Sequence, residues 1–212
     1  MKFCGVDEAG KGSVLGPMTA GGVLVNDLSE LDNLGIKDSK QLTPKKRESI
    51  FDELTGSFKT YAVIRSPLEI DTRDCTMNRF TAACHAEVLK NLLPDTAYID
   101  ACDVNAERFA ENVSALSGLN IKIISEHKAD DKYKIVGAAS IIAKVTRDRK
   151  IEELKSDFGE IGSGYPSDPL TISFLTDYIK EHGEIPCCAR KSWQTVDDII
   201  AKLSQKNLAD FF

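Results

Sequence analysis

The sequence predicts an α/β protein in which a mixed sheet carries helices on its faces and a small helical C-terminal subdomain follows. Three observations lead there. Short apolar runs alternate with helical patterns up to about residue 160. The first two runs are joined by a glycine-rich stretch of hairpin character, and only helical patterns follow the turn cluster GSGYPSDP at 162–169. The expected division is 1–160, 161–204 and a tail at 205–212.

Taken in order, residues 2–7 (KFCGVD) read as a short strand ending in acid. Residues 17–25 (PMTAGGVLV) read as its hairpin partner across the glycine-rich 10–16. Thr43 and Pro44, ahead of KKRESIFDEL, have the form of an N-cap and first helical residue. A strand is expected at 58–65 (FKTYAVIR). Residues 78–93 carry helical periodicity, with Phe80, Cys84, Val88 and Leu92 on one face. TAYID at 96–100 is a short strand ending in Asp, followed by a helix near 105–116 and a strand near 120–125. A long helix at about 133–158 turns Ala138, Ala139, Ile142 and Val145 towards a core, and helices at about 170–182 and 193–203 complete the chain.

Across 212 residues, 42% apolar and 28% charged composition supports a packed core and argues against global disorder. The net charge of −6 argues against indiscriminate coating of nucleic acid and leaves room for local basic surface. Six cysteines without C-x-x-C spacing, two of them the adjacent Cys187 and Cys188, read as reduced thiols of an intracellular protein. Asp7 and Glu8 interrupt any apolar N-terminal run, so no signal peptide is expected. No run reaches the ~20 apolar residues of a membrane span. A cytoplasmic protein without membrane association is expected, with no sign of an obligate oligomer and hence a monomer.

Three acids occupy comparable places: Asp7 and Asp100 end strands, and Asp130 stands just before the long helix, with Glu8 beside the first. Acids at neighbouring strand ends converge where α/β sites form. Crowded carboxylates repel one another unless cations intervene, and Mg²⁺ or Mn²⁺ suits an all-oxygen set. Any one of these acids alone would read as a solvated turn residue. His85, His127 and His182 are scattered, and no His/Cys set has zinc spacing. Consecutive strand residues point to opposite faces, so Asp7 and Glu8 share a site only if the strand has ended, as Ala9 and Gly10 suggest.

GVDEAGKGS at 5–13 approaches the P-loop pattern G-x-x-x-x-G-K-[ST], but Gly12 replaces the hydroxyl residue. Asp7 and Glu8 inside the loop would repel phosphates, which sets a nucleotide hydrolase aside. Gly10 and Gly12 instead allow close backbone approach to a ligand, with Lys11 adding charge.

DEAGKG (7–12), KDSKQL (37–42), YID (98–100), EHKAD (126–130), AASIIAKVTRD (138–148) and GSGYPSD (162–168) together resemble the type 2 ribonuclease H family, most closely its archaeal ribonuclease HII members. The resemblance spans the whole chain. It implies a ribonuclease H-like mixed sheet flanked by helices, and two-metal hydrolysis of RNA paired with DNA. It also implies a cut 5′ of ribonucleotides embedded in duplex DNA, leaving 3′-hydroxyl and 5′-phosphate ends, with a role in ribonucleotide removal, DNA replication and repair. By motif, Asp7, Glu8, Asp100 and Asp130 would be catalytic and hold two Mg²⁺ or Mn²⁺ ions, with Asp103 and Asp131 as neighbouring alternatives. Gly10, Lys11 and Gly12 would contact the ribonucleotide 2′-hydroxyl, Lys11 replacing the commoner Arg and losing its planar fork. Tyr165 would pack on the sugar at the RNA–DNA junction, or else plug a turn.

Ser39, Lys40, Lys144 and Arg147 are candidates for backbone phosphates. Residues 128–150 hold seven Lys or Arg against three Asp, a net +4 within an acidic chain. Arg190, Lys191 and Trp193 resemble the family's basic C-terminal segment. Gln205, Leu208, Phe211 and Phe212 fit the Q-x-x-[ILM]-x-x-[FY]-[FY] peptide that docks into the sliding clamp, PCNA. The alternative from another class is a non-catalytic, clamp-associated nucleic-acid-binding protein. Four crowded acids beside phosphates argue against it.

Overall fold

The continuous buried run from Cys4 to Asp7 builds the central strand of a five-stranded sheet. The computed structural model describes residues 1–36 and 42–209, with side chains up to residue 205. Strands β1 (Phe3–Ala9), β2 (Met18–Val25), β3 (Lys59–Arg65), β4 (Thr96–Asp100) and β5 (Lys122–Glu126) lie in the order β3-β2-β1-β4-β5. β2 pairs antiparallel with β1, while β4 runs parallel to both β1 and β5. This is the mixed sheet expected from an initial hairpin followed by strand–helix alternation.

The helices are α1 (Pro44–Ser57), α2 (Pro67–Asp71), α3 (Met77–Leu92), α4 (Ala106–Ser117), α5 (Ala129–Lys132), α6 (Lys134–Phe158), α7 (Pro169–His182) and α8 (Gln194–Ala209). Thr43 caps α1 through its hydroxyl, which accepts the Lys46 N–H, and Pro44 stands at the first turn where its missing donor is harmless. Asn105 and Asp168 cap α4 and α7 in the same way. The buried stripe of α3 is wider than expected, taking in Thr81, His85 and Leu89. α2 and α5, of five and four residues, escape periodicity altogether.

The chain divides into two compact units. The first comprises Met1–Lys11, Thr19–Ile64 and Asp74–Arg147, and the second Gly12–Met18, Arg65–Arg73 and the chain from Asp148 onward. The expected division at residue 160 falls later than this one, because Ile151, Leu154 and Phe158 of α6 already belong to the apolar cluster of the second unit.

Within the first unit, both sheet faces are covered. A Cβ on Gly21 would lie 2.5 Å from the Ala143 backbone N, and one on Gly22 would lie 2.3 Å from Val88 Cγ1. α6 therefore closes on one face of the hairpin and α3 on the other, both at contact distances only glycine permits. Thr19 Oγ1 donates to the Ala143 carbonyl at 2.7 Å, fixing α6 to β2. α4 packs against α3 and β5.

Within the second unit, Gly164 O accepts from Val14 N at 2.8 Å and from Leu15 N at 3.0 Å, tying the turn before α7 to the segment after β1. Val14, Leu15, Ile161, Leu175 and Val196 form its core. No helix among the described residues is long and apolar enough to cross a membrane.

Candidate active site

β1 does not stop at Asp7. Its ladder with β2 continues through Asp7↔Gly21, Glu8↔Ala20 and Ala9↔Thr19, so the expectation that the strand ends there is corrected. The pairing satisfies backbone groups that an earlier end would have left without partners. Side chains alternate across the pleat, and Asp7 and Glu8 leave on opposite faces. Asp7 turns towards α6, where the Ser140 side chain hydrogen-bonds it, and its Oδ1 also accepts the Glu8 N–H at 2.8 Å. Glu8 turns towards α3, where its Oε2 lies 2.9 Å from His85 Nε2.

The parallel register pairs Gly5 with Tyr98 and Val6 with Ile99. One further step brings Asp7 and Asp100 side by side on the α6 face. Asp100 Oδ1 accepts the Ala129 N–H at 2.7 Å, which sets α5, and Asp130 within it, beside the end of β4. Asp130 thus sits in a one-turn helix of its own rather than in the approach to α6.

The four acids feel one another. Burial raises the Asp7 carboxyl well above the ordinary range, and the charges of Glu8 and Asp100 push it further against two opposing hydrogen bonds. Burial also raises Asp100, as do Glu8 and Asp130, while the Ala129 N–H works the other way. Asp103 differs: hydrogen bonds from Arg108 and the Asn105 N–H hold it below the usual range. Asp131 is exposed on α5.

An all-carboxylate donor set with accumulated negative charge fits a hard divalent cation in kind. As they stand, no three His, Cys, Asp or Glu side chains among the described residues are gathered closely enough to hold one. Asp7 faces Ser140, Glu8 faces His85 and Asp100 faces Ala129. The expected convergence is therefore one of charge and strand ends.

Beyond β1, Gly10 adopts φ 78°. Lys11 Nζ donates to Asn78 Oδ1 at 2.8 Å and to the Cys102 carbonyl at 2.9 Å, which anchors the loop to α3 and to the residues after β4. Gly12 is exposed with ordinary φ, and a Cβ there would meet nothing within 4 Å. The fold itself gives no reason for glycine at 12.

Two cations of the sequence reading, Arg147 and Arg190, are buried. Arg147 is only 1% exposed, because it continues the Ala139–Ala143 stripe by which α6 faces the sheet. Arg190 is wholly buried: Nη2 donates to Ser13 Oγ at 2.8 Å and to Gly16 O at 3.1 Å, and its guanidinium stacks 4.9 Å from the Trp193 ring centroid. Lys191 and Ser192 donate their N–H groups to Asp71, and Arg73 covers the Trp193 ring at 5.5 Å. Lys132, Lys134 and Lys150 pair with Glu126, Asp32 and Glu153, so the net +4 of 128–150 is not a bare basic band. Lys144 is half-buried on α6.

Tyr165 is half-buried on the turn whose Gly164 carbonyl binds Val14 and Leu15, so it shares the second unit with Gly12. Gln205 is exposed on α8. Ser39, Lys40, Phe211 and Phe212 lie outside the described residues, as does the Leu208 side chain. The sequence reading missed His85, Ser140 and Asn78. Their only sequence signal is a polar residue on an otherwise apolar helical stripe.

Comparison with known proteins agrees with this architecture. Residues 4–196 match the family model for Ribonuclease HII. Ribonuclease HII of Methanocorpusculum labreanum is 66% identical over 212 residues, covering 100% of both chains. The crystal structure of ribonuclease H2 from Pyrococcus horikoshii superposes with a TM-score of 0.90 at 45% identity, covering 95% of this chain and 98% of that one. The PCNA:RNase HII complex of Archaeoglobus fulgidus gives a TM-score of 0.87 at 43% identity, covering 92% and 96%.

Proposed function

Because the chain belongs to the ribonuclease HII family and is an endoribonuclease of ribonuclease H type, we propose that it cuts RNA paired with DNA, and cuts 5′ of ribonucleotides embedded in duplex DNA. The products would be 3′-hydroxyl and 5′-phosphate ends, a chemistry suited to ribonucleotide removal in replication and repair. The observation that carries this reading is the shared field of four acids, with Asp7 and Asp100 both pushed up by burial and by neighbouring negative charge.

Asp7, Glu8, Asp100 and Asp130 would hold two Mg²⁺ or Mn²⁺ ions. Bound there, such ions activate water, polarise the scissile phosphate and stabilise the leaving 3′-oxygen. The chain's own part is to aim the carboxylates: Ser140 and the Glu8 N–H orient Asp7, and the Ala129 N–H orients Asp100. Asp103, committed to Arg108, and the exposed Asp131 stand aside, which favours Asp100 and Asp130 in the liganding role.

Selection of RNA rests on the 2′-hydroxyl. Gly10, Lys11 and Gly12 would present backbone to it, and the open space at Gly12 supports close approach by a ligand. Tyr165 would pack on the sugar at the RNA–DNA junction, on the same unit as Gly12. Lys144, Arg147, Ser39 and Lys40 remain the proposed phosphate contacts, of which Arg147 is buried before any ligand binds.

A duplex with one ribonucleotide, assayed with Mg²⁺ or Mn²⁺ and with EDTA, tests the reading. Cutting should require the ion and fail in Asp7→Asn; cleavage that persists in EDTA would overturn the metal mechanism.

The Archaeoglobus fulgidus complex supports a sliding clamp, PCNA, as partner, met by a monomer through Gln205, Leu208, Phe211 and Phe212. Removing residues 205–212 should abolish clamp binding in a pull-down and leave cutting of a free oligonucleotide intact. Unchanged clamp affinity would refute the tail's role.

A further inference from the structure

His85 is fully buried on α3, 77 residues from Glu8 in sequence, and its Nε2 lies 2.9 Å from Glu8 Oε2. Phe109 of α4 meets the ring edge-on, with centroids 5.3 Å apart. Nδ1 is buried and has no hydrogen-bond partner.

These contacts select a tautomer. With hydrogen on Nδ1, a buried donor would go unmet and the Nε2 lone pair would face a carboxylate. With hydrogen on Nε2, the ring donates to Glu8 and leaves only an acceptor unfilled, the milder of the two defects.

Stability alone does not account for a histidine here. An apolar side chain of similar volume would meet Phe109 equally well and bury no unsatisfied nitrogen. What only the imidazole adds is a rigid N–H aimed at one oxygen of Glu8.

We infer that His85 is the positioning residue for Glu8, holding its carboxylate by an Nε2–H donor so that it is presented to the metal ions. The inference rests on the reading of Glu8 as a metal ligand. It has the form of the outer-shell hydrogen bonds that orient liganding carboxylates, whose loss typically weakens metal binding by about 10–100-fold.

The test compares His85→Leu, which keeps the volume without the donor, with His85→Gln, whose amide nitrogen reaches the place of Nε2. Mn²⁺ binding is read by electron paramagnetic resonance, with thermal unfolding and metal-dependent cleavage measured alongside. Mn²⁺ affinity should fall by about tenfold or more in His85→Leu, with its unfolding temperature little changed and excess Mn²⁺ restoring the cleavage rate. His85→Gln should bind Mn²⁺ close to the parental affinity. Parental affinity in a folded His85→Leu, or an equal loss in His85→Gln, would overturn the inference and leave the metal reading standing. Should His85→Leu fail to fold, His85→Gln decides alone: near-parental binding supports the donor role, and a loss refutes it. A parent protein that binds no Mn²⁺ would instead overturn the metal reading, and this inference with it.

Discussion

Asp7 in the first unit and Arg190 in the second are both charged side chains taken out of water, 6% and 0% exposed. Arg190 is surrounded by groups that want it: two acceptors, Ser13 Oγ and Gly16 O, and the face of Trp193. Asp7 has donors in Ser140 and the Glu8 N–H, yet Glu8 and Asp100 oppose its charge. A buried ion whose surroundings answer it serves the fold. A buried ion set among its own kind is held at some loss of stability, which the cation of the proposed site would relieve on binding.

Substitution at each position should divide along this line. Asp7→Asn should lower cleavage by about a thousandfold or more, some 4 kcal/mol of barrier, while its unfolding temperature in EDTA rises. A fall in that temperature would mean the Asp7 charge is structurally welcome, and the contrast with Arg190 would fail. Arg190→Met should destabilise by about 2–5 kcal/mol, because Ser13 Oγ and Gly16 O lose a buried donor, as read by urea unfolding. Destabilisation below about 0.5 kcal/mol would show that the guanidinium is not what holds the segment.

Titration sharpens the same contrast. Asp7 and Asp100 have folded values above the ~3.9 of an unperturbed Asp. The folded protein therefore keeps protons that the unfolded chain has released. The stability they lend is complete below about pH 4 and is lost as pH rises through the folded values. In EDTA, unfolding temperatures of the parent and Asp7→Asn should diverge as pH climbs from 4, the parent falling behind. Parallel curves would contradict this.

The smallest structural effect is expected at Gly12, where a Cβ has open space. Gly12→Ala should leave stability within about 0.5 kcal/mol while reducing kcat/KM on a duplex with one ribonucleotide. Unimpaired cutting would remove Gly12 from the substrate surface.

Much of this was legible in the sequence because it is local. Thr43 and Pro44 announce α1, and TAYID coincides with β4 because a short apolar run closed by Asp has few other uses. The acids at strand ends were legible for the same reason. What escaped depends on partners far along the chain. β1 extends to Ala9 only because β2 offers Ala20 and Thr19 to pair with, and this extension sends Asp7 and Glu8 to opposite faces. The burial of Arg147 and Arg190 has no local sign in the sequence, because the groups that surround them come from distant segments. His85 looked isolated because Glu8, 77 residues away, is brought to it only by the packing of α3 on the sheet.

The bonds from Arg190 to Ser13 and Gly16 span 177 and 174 residues. On a ribosome adding about 5–20 residues per second, Ser13 waits roughly 10–35 s for its partner to be synthesised. The segment beginning at Gly12 is therefore made well before the arginine that secures it. A nascent chain therefore holds all four acids, ending with Asp130, well before the surface beside Gly12 can take its final form.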